Sequence, residues 1–274
     1  MIIDPMPNGP VPNAQYPMPN DPMPNDPSPT APMPLSSDEV HIWQASLDLP
    51  AGLLAQLRAT LSPDEQRRAD RFHFERDRHR FAAGRGILRN ILSRYSGIEP
   101  ALLEFNYSPR GKPALRSDSA GGNLNFNLSH SGGLALYAVT RHRQIGIDLE
   151  MLRPMPDAEK IAERFFSPLE SAVLRNLPAT DKQEAFFLCW TRKEAYLKAV
   201  GQGLTGLDDV VVSLTPGEPA KILSISGDIK EPSRWSLQHL TPAPGCVGAV
   251  AVEVHGFSLS CWEWEFQTNG FQNG

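Results

Sequence analysis

Two different hydrophobic periods alternate along the chain. "VHIWQASL", residues 40–47, mixes apolar and polar residues in near-alternation, the pattern of a half-buried strand. "LSPDEQRRADRF" then opens a helix, with Ser62 as N-cap, Pro63 at the first helical position and Glu65 three residues after the cap. "DRHRFAAGRGILRNILSRY" sets Phe81, Leu88, Leu92 and Tyr95 on one helical face, and Gly97 ends it. Strand-like stretches follow: "ALLEFNY", "NLNFNLS" with Leu124, Phe126 and Leu128 alternating, "LALYAV" and "QIGIDLE". "ERFFSPLESAVLRNL" repeats the cap with Ser167, Pro168 and Glu170, and "KQEAFFLCWTRKEAYLKAVG" carries the strongest helical pattern, stopped by Gly201. Short strands joined by Gly and Pro turns complete the chain. Each half holds helices followed by strands, which predicts an α+β fold of two lobes, 38–145 and 146–265.

Two flanking segments fall outside this pattern. Residues 1–37 hold 12 of the 26 prolines, repeat variants of "PMPN" and carry no Lys or Arg, so a disordered, partly polyproline II tail is expected. Residues 266–274 read as a short polar tail. The chain has 274 residues, 41% of them hydrophobic, enough for one large core or two modest ones. Its net charge of −5 argues against a protein that coats nucleic acid. Three widely spaced cysteines suggest neither a disulfide framework nor a zinc site, and no run is apolar enough to span a bilayer. A cytoplasmic protein is the expectation.

"GIDLE", residues 146–150, places two carboxylates in an otherwise apolar strand. Strand geometry puts Ile145, Ile147 and Leu149 on one face and Gly146, Asp148 and Glu150 on the other. Neighbouring like charges raise each other's pKa unless a cation or donor compensates. A second face open to water would be one answer. Glu194 points to another, because it shares a helical stripe with Phe187, Trp190 and Leu197. An i,i+4 pair with Lys198 would contribute only about 0.3–0.5 kcal/mol if exposed, too little to explain a carboxylate in an apolar stripe. Asp148, Glu150 and Glu194 together would offer three hard oxygen ligands suited to Mg²⁺ shared with phosphate, with Lys193 and Lys198 alongside.

Donor-rich stretches extend that reading. Residues 64–94 carry nine Arg against five acids, most forming a solvated helix face, with one or two left for phosphate. "SPRGKPAL" (108–115) combines two cations, a Gly and a Pro, either as a surface turn or as a loop gripping an anion. "NLSHS" (127–131) ends a strand with Ser129 and His130 as phosphate donors.

Taken in order, "GKP", "FNLSHS", "GIDLE", "RFFSPLE" and "WTRKEAYLKAVGQGL" resemble the 4′-phosphopantetheinyl transferases of the Sfp type over roughly residues 40–255. The family pattern G-[IV]-D-x-E, then W-[ST]-x-K-E-[AS]-x-x-K, is matched by Gly146, Asp148, Glu150, Trp190, Lys193, Glu194 and Lys198. The resemblance implies two similar lobes about a pseudo-twofold axis, with coenzyme A and Mg²⁺ in the cleft between them. It implies transfer of the phosphopantetheine arm to a serine of an acyl or peptidyl carrier protein, releasing 3′,5′-ADP, by a monomer. By motif, Asp148, Glu150 and Glu194 would bind the metal, and Glu194 would take the serine proton. Lys198 would hold the pyrophosphate and Lys193 would add charge. Gly111, Lys112 and Pro113 would line the adenine end. Ser129 and His130 would contact phosphates, with Arg85 near the 3′-phosphate and Arg68 and Arg110 as further cations. A noncatalytic coenzyme A-binding module and a metal-dependent nuclease or phosphoesterase are the alternatives at this stage.

Overall fold

In a computed structural model, residues 32–116, 123–254 and 256–266 are described. The alternating segment becomes β1 (Glu39–Ser46), followed by α1 (Ala51–Ala59), α2 (Pro63–Asp70) and α3 (Glu75–Ser96). A hairpin, β2 (Phe105–Tyr107) with β3 (Pro113–Leu115), precedes β4 (Leu124–Ser131) and β5 (Leu134–Arg141). The second half runs β6 (Ile145–Met151), α4 (Ala158–Phe165), α5 (Pro168–Asn176), α6 (Ala179–Val200), β7 (Val210–Val212) and β8 (Ile222–Ile225). It closes with β9 (Ser236–Leu240), β10 (Cys246–Val252) and β11 (Ser258–Glu263).

Two sheets, ordered β11-β1-β5-β4 and β6-β10-β9, stack against each other. Their facing side chains, among them Ile42, Leu136, Ile147, Leu149, Val250 and Cys261, form a shared core. On its outer face the first sheet packs Trp43, Tyr137 and Val139 against Leu57 of α1 and Ile87, Leu88 and Ile91 of α3. The second sheet packs Val247, Ala249 and Ala251 against Phe186, Ala195 and Leu197 of α6. The order through the molecule is therefore helices, sheet, sheet, helices, each sheet buried on both faces.

The two lobes repeat one device. In each, a short helix with a Ser-Pro start precedes a helix of 22 residues that ends on a glycine with left-handed backbone, Gly97 at φ 68° and Gly201 at φ 72°. The capping glutamate of the short helix, besides accepting from the cap N–H, ion-pairs with the long helix: Glu65 with Arg85 and Arg89, Glu170 with Lys193. Removing one partner of such a buried pair would leave an uncompensated charge, which ties each pair of helices together.

Two expectations about segment boundaries are corrected. The last strand, assigned to the second lobe by its place in the sequence, crosses back and pairs in parallel with β1, Ile42 opposite Cys261. An alternating pattern reveals a strand and not its partner, so this non-local pairing carried no signal. Residues 32–37, placed in the proline-rich tail, pack on the first lobe instead. Met33 and Leu35 are buried, the Met33 N–H donates to the Arg94 carbonyl and Arg141 Nε donates to the Leu35 carbonyl. The tail expected over residues 1–31 and most of the one expected over 266–274 lie outside the described residues. Cys189, Cys246 and Cys261 are buried, and no helix among the described residues is long and apolar enough to cross a membrane.

Candidate active site at the junction of the lobes

Gly146 lets α6 come down onto β6. A Cβ at that position would lie 2.0 Å from the Ala195 carbonyl oxygen and 2.4 Å from the Ala199 nitrogen, so only glycine permits the contact. On β10 the small Ala251 stands opposite Gly146 and Ala249 opposite Asp148. The face of β6 that carries Gly146, Asp148 and Glu150 is thus turned to the helix rather than to water, while Ile145, Ile147 and Leu149 enter the shared core.

The carboxylates on that face are held asymmetrically. Asp148, 5% exposed, accepts from Ser129 Oγ (2.9 Å) and Lys198 Nζ (2.6 Å) at Oδ1, and its buried Oδ2 has no partner. Glu150, half-buried, accepts from Ser131 Oγ and Arg153 Nη1, both at 3.1 Å and both at Oε2. Glu194, 9% exposed, carries a buried Oε1 without a partner. Burial pushes the Glu194 carboxyl up to about 7, with Asp148 and Glu150 adding to the rise and Lys198 opposing it. Burial likewise raises Asp148 against the pull of Lys198 and Ser129, with Glu150 adding to the rise. Mutual electrostatic influence of this size places the three acids in one neighbourhood. Among the described residues, however, no three acid, His or Cys side chains are already gathered into a cation cage, and the Lys198 ammonium sits on Asp148.

β6 is the edge of its sheet, so every second N–H points away from β10. The side chains of β4 take them. Asn127 Oδ1 accepts from Ile147 N (2.9 Å), Ser129 Oγ from Leu149 N (3.3 Å) and Ser131 Oγ from Met151 N (3.2 Å). This parallel ladder of side chains seals the lobe junction beneath the acids. Its period of two was visible in "NLSHS", and the sequence reading missed Asn127, Ser131 and Arg153 because nothing local says that an edge strand lies opposite.

Several residues expected to face a phosphate are committed elsewhere. Ser129 gives its hydroxyl proton to Asp148 while accepting from Leu149 N and Lys198 Nζ (3.0 Å), so it orients a carboxylate instead of binding an anion. Lys193 is fully buried and donates to Glu170 (2.7 Å) and to the carbonyls of Leu207 (2.7 Å) and Val210 (2.5 Å). Adjacent helix positions diverge by about 100°, so Lys193 cannot share the direction of Glu194. Arg85 is turned inward, bonding Glu65 and the Tyr107 hydroxyl (2.9 Å) with its guanidinium over Phe105. Lys112 donates to the carbonyls of Ile145 (3.2 Å), Lys198 (2.6 Å) and Ala199 (2.9 Å), capping the C-terminal end of α6. Burial lowers its pKa to about 8, which leaves it mostly protonated at neutral pH, as three acceptors require.

Other expected residues remain open. His130, next to Ser129 on β4 and therefore on its opposite face, presents part of its ring to solvent. Crowding by the protein, then Lys198 and Arg80, lowers its pKa, so it is neutral at pH 7. Arg68 and Arg110 are exposed, and Gly111 turns the hairpin with φ 82°. A groove of about 360 Å³ runs beside that hairpin, lined by Tyr107, Lys112, Pro113, Phe126 and Ile145 among others.

The comparisons agree with this geometry lobe by lobe. The family description "4'-phosphopantetheinyl transferase superfamily" matches residues 144–254, and "4'-phosphopantetheinyl transferase, N-terminal" matches 45–142. The 4'-phosphopantetheinyl transferase HetI of Nostoc sp. is 51% identical over 230 residues, 84% of this chain and 94% of that protein. The chain belongs to the 4′-phosphopantetheinyl transferase family. More distant relatives include the 4'-phosphopantetheinyl transferase Sfp of Bacillus subtilis, 30% identical over 55% of this chain and 62% of its own. The L-aminoadipate-semialdehyde dehydrogenase-phosphopantetheinyl transferase of Homo sapiens is 28% identical over 65% of this chain and 62% of its own. The two family matches adjoin between β5 and β6, and the second of them spans Asp148, Glu150, Glu194 and Lys198.

Proposed function

We propose that the protein moves the 4′-phosphopantetheine group of coenzyme A to a serine hydroxyl of an acyl or peptidyl carrier protein, releasing 3′,5′-ADP. The observation that carries this reading is the set of open oxygens, Asp148 Oδ2 and Glu194 Oε1, buried without partners beside the Lys198 ammonium. Hard oxygens left without donors in a buried site are the donor set a Mg²⁺ ion takes. Asp148, Glu150 and Glu194 would hold that ion, which when bound neutralises charge on the pyrophosphate of coenzyme A.

The chain's own groups account for the remaining chemistry. In the transfer, the serine oxygen bonds to the phosphorus that carries pantetheine, the pyrophosphate P–O bond breaks, and 3′,5′-ADP departs with the electron pair. Glu194 would take the serine proton as general base. Lys198, already within 2.6 Å of Asp148, is placed to exchange that contact for a phosphate oxygen. His130, Arg68 and Arg110 supply the open donors for the phosphates, and Gly111 and Pro113 the backbone wall beside adenine. Both lobes contribute to the site within one chain, so a monomer suffices, and three widely spaced cysteines with no disulfide framework fit a cytoplasmic setting. Mass spectrometry of an apo carrier protein incubated with this protein, coenzyme A and Mg²⁺ should detect the phosphopantetheine adduct. Asp148→Ala and Glu194→Ala should give no adduct while keeping the far-UV circular dichroism of the native protein. Normal turnover by either variant would refute the assignment.

A further inference from the structure

The two carboxylates of β6 are held by the same three-part clasp, two residues apart. One oxygen of each receives a serine hydroxyl and a cation: Ser129 and Lys198 on Asp148, Ser131 and Arg153 on Glu150. The same serine oxygen also accepts the N–H of the residue after the acid, Leu149 or Met151. Each hydroxyl is therefore fixed by the β6 backbone and can present its proton in one direction only, toward the carboxylate of the preceding residue. In both acids the engaged oxygen is turned to β4; the other oxygen of Asp148, Oδ2, is buried without a partner, and the serine and the arginine on Glu150 both take Oε2.

The turn after β4 packs beneath the end of β6. Gly132, with φ 60°, lies under the exposed Met151 side chain, whose thioether rests over the turn.

From this geometry we infer that Ser131 is a positioning residue for Glu150: it fixes the carboxylate so that Oε1 faces the site. The inference rests on the metal reading of Asp148, Glu150 and Glu194 proposed above. Outer partners that orient a ligand commonly change metal affinity by about 10- to 100-fold when removed.

The test compares Ser131→Thr with Ser131→Val, which have the same shape and differ in the hydroxyl alone; both suit a strand. Mn²⁺ binding to the protein saturated with coenzyme A is followed by electron paramagnetic resonance and by calorimetry. The threonine variant should bind like the wild type. The valine variant should bind about tenfold more weakly, with its affinity for coenzyme A in the absence of metal unchanged. Hydrogen exchange at the Met151 amide should quicken in the valine variant and not in the threonine one. Equal Mn²⁺ affinity in both variants, with wild-type binding intact, overturns the role of Ser131 and leaves the metal reading standing. A wild type that takes up no Mn²⁺ beside coenzyme A overturns both.

Discussion

Glu194 shows how burial and neighbouring charge set the behaviour of one side chain. Its carboxyl, ordinarily near 4.5, titrates near 7 because burial, Asp148 and Glu150 all disfavour the charged form. Between those values the folded chain holds a proton that the unfolded chain has released, so stability falls as pH rises. The loss is complete above about pH 7. In metal-free buffer, the melting temperature of the wild type should therefore fall from pH 5 to pH 8 relative to Glu194→Gln, which has no such titration. Added Mg²⁺ at pH 8 should narrow the difference. A parallel pH profile for the two proteins would show that Glu194 ionises normally. Asp148, Glu150 and Glu194 stand out in the sequence because acids in apolar patterns are costly and so conspicuous. The contacts of Lys193 and Ser129 were not readable there for the converse reason: residue type announces a possible ligand, while direction depends on a partner far along the chain, Glu170 for one and Asp148 for the other.

At the level of elements, the caps and periods were enough to place α2, α3, α5 and α6, since α2 and α5 carry their own Ser-Pro starts and α3 and α6 their own glycine stops. What no local pattern held was the distance of closest approach between α6 and β6, and there a single glycine decides. Gly146→Ala would drive a methyl group into the backbone of the helix, at 2.0 Å from the Ala195 oxygen. Backbone atoms in the last turns of a 22-residue helix cannot turn aside as a side chain does. The helix must lift or the strand must bend. Overpacking of this kind costs about 3 kcal/mol at the upper end of its usual range, read as a lowered urea midpoint. The same shift separates Glu194 and Lys198 from Asp148, so phosphopantetheine transfer should fall together with stability. A variant that kept wild-type stability and transfer would mean that the contact between α6 and β6 is looser than described.

For the molecule as a whole, the question is whether the lobes fold separately, as two adjoining family matches invite one to suppose. The shared core between the sheets argues against it, because Ile42, Leu136 and Cys261 from the first sheet and Ile147, Leu149 and Val250 from the second are buried only by each other. The crossing of β11 back to β1 adds a covalent reason: the chain cannot be cut between the lobes without removing a strand from the first. Lys112 is a third link, carried by the β2–β3 hairpin of one lobe and bonded to three carbonyls of the other. Lys112→Met preserves most of the apolar stem and removes the three donors, leaving those carbonyls short of partners at a cost of about 1–3 kcal/mol. The effect should appear as one lower urea midpoint and not as a split transition, since the shared core is untouched. Tryptophan fluorescence can tell the two apart. Trp43, Trp262 and Trp264 report on the first lobe and Trp190 and Trp235 on the second, so variants keeping only one set follow each lobe alone. Coincident midpoints in both sets, with Lys112 and with methionine, are the expected result. Separate midpoints would mean that each lobe is stabilised by its own helices, with the site between them assembled only when both are already folded.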